Sequence, residues 1–306
     1  SLIDDIGKER VEVDMIEFNG PAFEKIDNRI LCLKLVENGL SDAIMFDRKG
    51  YVVQAADMLY KKACLIERGS FRPVTQVNLD MLENAKVQFI EREDVEEQNL
   101  EVFMELTLGN LLTEGDIDHN DFLARIEVIN ACGYGVLVSN YFEYFRLSAF
   151  LRRHINKPIG LVMGLNNLAD IFKEQYYSQL DGGILEAFGI LFKDNVKIYA
   201  YPIEQKNFQR YRKQIGRGDN VETIGDEGGL VTIDNLLVAQ NLRNLYKYVR
   251  ENGFLVKIES WNRENMQFFS RDILDLVRKR EDGWKNSLPN CVVDMIENKS
   301  LWLEGN

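Results

Sequence analysis

The sequence predicts a three-layer α/β fold in which a mainly parallel, open sheet is followed by a helical C-terminal subdomain. Three observations carry that expectation. Short apolar runs alternate with helical-period segments through the first two thirds of the chain, and runs too short for helices are the mark of strands covered on both faces. Fewer βα units precede residue 205 than a closed eight-fold barrel needs, so the sheet is open. Beyond Pro202 the strand-like runs give way to helical patterns. The expected division is a sheet domain over 1–205, a linker or lid over 206–230, and a helical region over 231–306.

The elements follow in order. Phe23, Ile26, Ile30 and Leu33 recur at helical spacing, with Gly39 as a stop residue. Ala43-Ile44-Met45-Phe46 reads as a strand that turns at Gly50 into Tyr51-Val52-Val53. Ala63 to Ile66 is a second buried strand, and Val74 to Ile90 a helix leading into an acidic loop from Glu91 to Glu97. Val102 to Leu106 is a strand. Phe122, Ile126 and Ile129 mark a helix closed at Gly133, and Val136-Leu137-Val138 is the next strand. Tyr141 to His154 reads as helix, Ile159 to Met163 as strand, Leu168 to Tyr177 and Ile184 to Phe192 as helices, and Val196 to Ala200 as strand. Right-handed crossovers are expected for such units. In the last third, Val238, Leu242, Leu245 and Val249 share a helix face capped by Gly253. Met266, Phe269, Ile273 and Leu276 share another, and a short helix follows Pro289.

Composition narrows the function classes. The 306 residues carry 37 Lys plus Arg against 49 Asp plus Glu, a net charge of -12, which disfavours nucleic acid and anionic membrane as partners. At 45% apolar and 28% charged, the chain has globular rather than disordered composition. A chain of this length buries about 75% of its unfolded surface and needs no staples. No apolar run is long enough for a spanning helix and no signal peptide opens the sequence. Four isolated cysteines, Cys32, Cys64, Cys132 and Cys291, read as buried thiols in a reducing, cytoplasmic setting. With only His119 and His154, a poly-histidine metal centre is excluded, and no metal site is expected.

In open parallel sheets, ligands bind beyond the carboxyl ends of the strands. Four segments fall there: Glu67 to Pro73, Ser139-Asn140-Tyr141, Gly164 to Asn167, and Glu105-Leu106-Thr107. In the first, Arg68 and Arg72 flank Ser70 and can present guanidinium forks to a phosphate or carboxylate, or pair with neighbouring carboxylates to pin the loop. Asn140 and Arg146, at the start of a helix, and Asn166, after a strand, are the further ligand-binding expectations. Plain N-capping is the alternative for Ser139, Asn140, Asn166 and Asn167. Glu105, closing an apolar strand, is the expected acid/base group, with ion pairing to an arginine as its alternative. Asp181-Gly182-Gly183 can form a phosphate nest or a simple turn. The run Asp116 to Asp121 gathers oxygen ligands, but Asp118 serves equally as an N-cap. The basic stretch Lys206 to Arg217, with glycines 216, 218, 225, 228 and 229 near it, reads as a lid on an anionic ligand or as a solvated helix.

Several phrases form a resemblance: Glu67 to Thr75 with Val77 to Leu82, Gly115 to Asp118, Ser139 to Tyr144, Gly160 to Gly164, Gly182 to Glu186 and Asp282-Gly283-Trp284. Together they resemble a broadly distributed bacterial family whose members carry the label nicotinate-nucleotide adenylyltransferase or, in some cases, TonB-dependent receptor. The first label implies a nucleotide-binding transferase, yet the Gly-x-Phe/Trp-x-Pro-x-His-x-Gly-His type loop of such enzymes is not found around His119 or His154, so no catalytic residue transfers. The second implies many alternating strands of about ten residues, which are also missing. Two function classes follow. One is an enzyme or binding domain for a small phosphorylated or carboxylated metabolite, with a nucleotide within that class. The other is a non-enzymatic scaffold or homo-oligomer built on Tyr246, Tyr248, Trp261, Phe268, Trp284 and Trp302.

Overall fold

A computed structural model describes residues 13–113, 115–214, 229–267 and 270–303. The central sheet has eight strands: β1 (Ala43–Phe46), β2 (Val52–Val53), β3 (Ala63–Arg68), β4 (Leu100–Thr107), β5 (Gly135–Ser139), β6 (Ile159–Gly164), β7 (Val196–Tyr201) and β8 (Leu255–Lys257). Their order is β8-β7-β6-β3-β4-β5-β1-β2. All pairings from β8 to β5 are parallel, and only β1 runs against its neighbours β5 and β2. The expected open, mainly parallel sheet is therefore present.

Ten helices matter for the layers: α1 (Asn28–Glu37), α2 (Gln76–Glu93), α3 (His119–Ala131), α4 (Tyr144–His154), α5 (Leu165–Ile171), α6 (Gly183–Leu191), α7 (Gln205–Gln214), α8 (Arg243–Glu251), α9 (Ser270–Lys279) and α10 (Asn290–Lys299). Period-2 alternation along each strand splits the core in two. Cys64, Ile66, Phe103, Leu137, Leu161 and Ile198 join one cluster with residues of α4, α5, α6 and α8. Leu65, Val102, Met104, Val136, Val162 and Tyr199 join the other with α1, α2, α3, α9 and α10. Two helical layers thus enclose the sheet, which is why its strands read as unbroken apolar runs.

Strand order sets up the functional geometry. The chain lays β3, then β4, then β5 toward one edge. It then returns across β3 to place β6 on the other side, and continues outward through β7 to β8. At the β3/β6 boundary successive connections depart in opposite directions, and a crevice opens beyond the strand ends. Gly160 lets the two strands close there, since a Cβ at that position would lie 2.5 Å from Leu65 Cδ1 and 3.0 Å from the Phe89 ring.

Several expectations need correction. The C-terminal region is not purely helical: Leu255–Lys257 extends the sheet beside β7, and residues beyond 230 belong to both core clusters. The first helix starts at Asn28 rather than near Phe23, because Asp27 caps it by accepting from the Arg29 amide. The segment after β6 is helical only to Ile171 and resumes as a 3-10 turn over Glu174–Tyr177. Cys132 and Cys291 are only partly buried, with their sulfurs 3.4 Å apart. Among the described residues no helix is long and apolar enough to cross a membrane.

Candidate functional site at the β3/β6 crevice

The connection leaving β3 is shaped from below. Gly69 is required because the Phe71 ring folds back beneath it, where a Cβ would meet ring carbons at 2.9 Å. Phe71 itself is buried with φ 44, and the Arg72-Pro73 peptide bond is cis. Arg125, only 1% exposed, reaches up from α3 to donate to Ser70 O (3.1 Å) and Asn110 O (2.7 Å). Asn110 in turn donates to Gly69 O at 3.1 Å. Carbonyls that would otherwise be orphaned are thereby satisfied, and the loop is fixed.

Arg68 and Glu105 sit side by side in the β3/β4 register. Arg68 Nε lies 2.7 Å from Glu105 Oε2 and Nη2 2.9 Å from Oε1, while Ser139 Oγ donates to Oε1 at 2.6 Å. Arg68 Nη1 donates to Phe142 O at 2.7 Å, and its guanidinium stacks on Tyr144 at 4.2 Å. Burial opposes the arginine's charge, yet Glu105 holds its pKa above the ordinary value. Burial likewise pushes the Tyr144 phenol up to about 12, so it stays neutral. This paired, stacked cluster forms the floor of the crevice.

Above it lies a cleft of two lobes, about 360 Å³ and about 300 Å³. Arg68, Gly69, Ser70, Asn167, Tyr211 and Arg271 line both. The first lobe continues past Tyr144, Tyr176 and Tyr177, and the second past Glu67, Asn166 and Tyr201. Carboxylates at the first lobe are already engaged. Glu143 lies 3.2 Å from Arg146, and Asp170 lies near Lys173 (3.3 Å) and Arg212 (3.5 Å). In the second lobe Asp272 pairs with Arg210 at 2.8 Å. Arg271 makes no ion pair with a described residue. After these pairings the cleft is left with one uncommitted cation among its described lining residues.

Glu67 is the other uncommitted group. It is wholly buried, its Oε1 accepts from Asn78 Nδ2 at 2.7 Å, and its Oε2 has no partner. Burial pushes its carboxyl well above the usual carboxylate range, against the pull of the Asn78 hydrogen bond. Asn166 Oδ1 is also buried without a partner in the same lobe.

The sequence-based site residues therefore separate. Arg68, Ser70 and Asn166 converge at the cleft, as expected for strand-end positions. Arg68 is nevertheless no free anion clamp, because Glu105 neutralises it. Glu105 is correspondingly a buried ion-pair partner with both oxygens occupied. Arg72 turns the other way, with Nε 2.6 Å from Asp121, and lines neither lobe. Asn140 faces a separate depression beside Leu112, and Arg146 is half exposed against Glu143. Ser139 and Asn140 cap no helix, since α4 begins after Glu143 once Arg68 has tied down Phe142 O. Gly164, not Asn166 or Asn167, occupies the N-cap of α5. The Gly182 amide is taken by Glu186 at 2.8 Å, so the glycine pair there is occupied by the chain itself. Asp118 caps α3. Of the basic stretch, Lys206, Arg210 and Arg212 pair with Glu204, Asp272 and Asp170, and Tyr211 is the residue that reaches the cleft. Arg217 and glycines 216, 218, 225 and 228 lie outside the described residues. Among the proposed aromatic anchors, Tyr246 and Trp284 are buried, Trp302 donates to Asp121, and Phe268 lies outside the described residues.

Sequence patterns do not single out Arg271 and Glu67. The lone carboxylate that follows the apolar run Ala63 to Ile66 stands next to an arginine in the chain, and nothing in the sequence shows that it is left without a cation. Arg271 arrives from a helix that sequence spacing does not connect to the sheet.

Comparison with known proteins adds little to this geometry. No protein-family profile matches the chain, and no curated protein matches it. Among solved structures, it is similar to a Plasmodium falciparum nicotinic acid mononucleotide adenylyltransferase complexed with NaAD, at 13% identity and a TM-score of 0.36. The same enzyme complexed with APC gives 14% identity and a TM-score of 0.37. In each case 79% of this chain and 97% of the other are covered. At these values neither superposition carries an argument about the site.

Proposed function

We propose that the chain binds a small phosphorylated or carboxylated metabolite, nucleotides included, in the β3/β6 cleft, with Arg271 as the cation that meets the anionic group. The supporting observation is the set of uncommitted polar groups at the strand-crossing point. Arg271 has no ion-pair partner among the described residues and Ser70 is exposed in the same cleft, at the place where parallel sheets leave room for a ligand. Guanidinium groups recognise phosphate and carboxylate through paired N–H donors. The tyrosines of the first lobe supply flat apolar surface for the rest of the molecule. The buried Arg68–Glu105 pair holds the floor rigid, and Arg125 holds the Ser70 loop.

Isothermal titration calorimetry with pyrophosphate as the probe tests this reading. The native protein is expected to bind it, and Arg271→Ala to weaken binding by about tenfold, the scale of one lost charge-assisted interaction. Equal affinity in both proteins would contradict the assignment. A thermal-shift panel of phosphorylated metabolites then finds the natural class, since a ligand at about 100 times its Kd adds about 2.7 kcal/mol to stability.

A further inference from the structure

Three side chains converge on the Asp121 carboxylate, and one of them comes from the segment that follows α10. We propose that Trp302 is a positioning residue for the cleft: through Asp121 it sets the Arg125 guanidinium that carries the Ser70 loop. This inference rests on the cleft being a ligand site, and extends its support to a residue that lines neither lobe.

Asp121 is 5% exposed, and its two oxygens have different partners. Oδ2 accepts from Arg125 Nε at 2.8 Å and also from Nη2. That pairing leaves Arg125 Nη1 to serve Ser70 O and Asn110 O. Both bonds from Arg125 fall on one oxygen, so the pair can pivot there, unlike a fork in which each oxygen takes one N–H. The other oxygen, Oδ1, accepts from the Trp302 indole N–H at 2.6 Å. Arg72 Nε lies 2.6 Å from the same oxygen but without hydrogen-bond alignment. Arg72 therefore supplies charge, and the indole supplies direction. The indole bond stops the pivot, and with it fixes the nitrogen that holds the loop.

The backbone around Trp302 is consistent with a committed placement. Ser300 and Trp302 both lie in the left-handed region, with φ 52 and 58, which bulky residues rarely adopt. Leu301 N donates to Ile296 O at 3.2 Å, folding the chain back on α10. Such conformations persist where neighbouring contacts over-determine them, and the Trp302–Asp121 bond is a contact of that kind. A second link joins α10 to α3 without touching Asp121, since Lys299 Nζ lies 2.8 Å from Glu127 Oε2. Lys299 therefore distinguishes general docking of α10 from the specific action of the indole.

Nitrogen-15 NMR and calorimetry on the whole chain test the proposal. The side-chain Nε–H signal of Arg125, identified by its absence in Arg125→Lys, reports on the guanidinium without any ligand. Trp302→Phe keeps an aromatic ring and removes the N–H. It is expected to speed exchange of the Arg125 proton with water about tenfold and to weaken pyrophosphate binding about fivefold. Lys299→Ala is expected to leave both within about twofold. In native protein, saturating pyrophosphate is expected to shift the Trp302 indole signal, because coupling between two sites is reciprocal. An unchanged Arg125 proton or unchanged affinity in Trp302→Phe, the same changes in Lys299→Ala, or an indole signal unmoved at saturation would overturn the positioning role. Native protein that binds no pyrophosphate would instead overturn the reading of the cleft, with the Arg125 signal still deciding whether Trp302 sets the guanidinium.

Discussion

Replacing Glu105 by Gln distinguishes a carboxylate that holds the cleft floor together from one that performs acid/base work. Glu105 is fully buried and its charge faces Arg68, whose side chain is 9% exposed. Two N–H···O contacts at 2.7 and 2.9 Å and a third from Ser139 at 2.6 Å saturate the carboxylate. Gln keeps the shape but removes the negative charge, and it turns an amide donor toward one of these partners. The Arg68 guanidinium is then buried without compensation, between Tyr144 and the strand ends. Removing one partner of a buried pair costs about 3–5 kcal/mol, much more than an exposed pair would. The expected result is a urea midpoint lowered by that amount divided by the m-value, with m unchanged. Replacing both members, Arg68→Met with Glu105→Leu, is expected to recover a large share of the loss, giving a coupling energy of about 2 kcal/mol or more in the double-mutant cycle. A Glu105→Gln protein within about 1 kcal/mol of native, or strictly additive single effects, would refute the claim that this pair holds the floor of the cleft.

Other consequences can be checked in the same preparations. Glu67 is flanked by Arg68 in sequence, accepts from Asn78 of α2, and shares the lining of the second lobe with Arg271 and Asp272. Its raised pKa means the folded chain keeps a proton that the unfolded chain releases above the ordinary carboxyl pKa. Its contribution to stability is therefore full at acid pH and falls by about 1.4 kcal/mol per pH unit as pH rises through the window up to the folded value. Glu67→Gln should remove that slope in urea unfolding measured from pH 4 to pH 7, and an unchanged slope would contradict the burial argument. Gly160→Ala should cost about 1–3 kcal/mol through overpacking against Leu65 and Phe89, read from the thermal midpoint. Arg125→Met should lower both stability and pyrophosphate affinity, because Ser70 O and Asn110 O lose their donor; unchanged affinity would show that the loop is fixed by other means.

Much of the architecture is legible in the sequence for a simple physical reason. Strands buried on both faces admit few polar residues, and here those sit toward the carboxyl ends, so Ile44 to Phe46, Val136 to Val138 and Leu161 to Met163 stand out as short apolar runs. Leu255–Lys257 escapes this logic because three residues beside the helix ending at Glu251 carry too little pattern to declare a strand. At the site, position and pairing part company. The strand-end rule depends only on topology, and Arg68, Ser70 and Asn166 do line one cleft. It does not reveal which charges are spent on one another. Arg68 is neutralised by a residue 37 positions away, Arg72 by one on α3, and the uncommitted cation comes from Arg271, more than 200 positions along the chain. Ion pairing is decided by side-chain geometry across elements, and residue type at a strand end carries no record of it.

The most direct test is to soak crystals of the native protein in pyrophosphate and locate the anion by X-ray diffraction. Density within hydrogen-bonding distance of the Arg271 guanidinium, between the Ser70 loop and Asn167, is the expected result. An anion seated instead on the exposed basic side of α7, or none at all beside Arg271, would contradict the assignment of the β3/β6 crevice as the place where this protein meets its ligand.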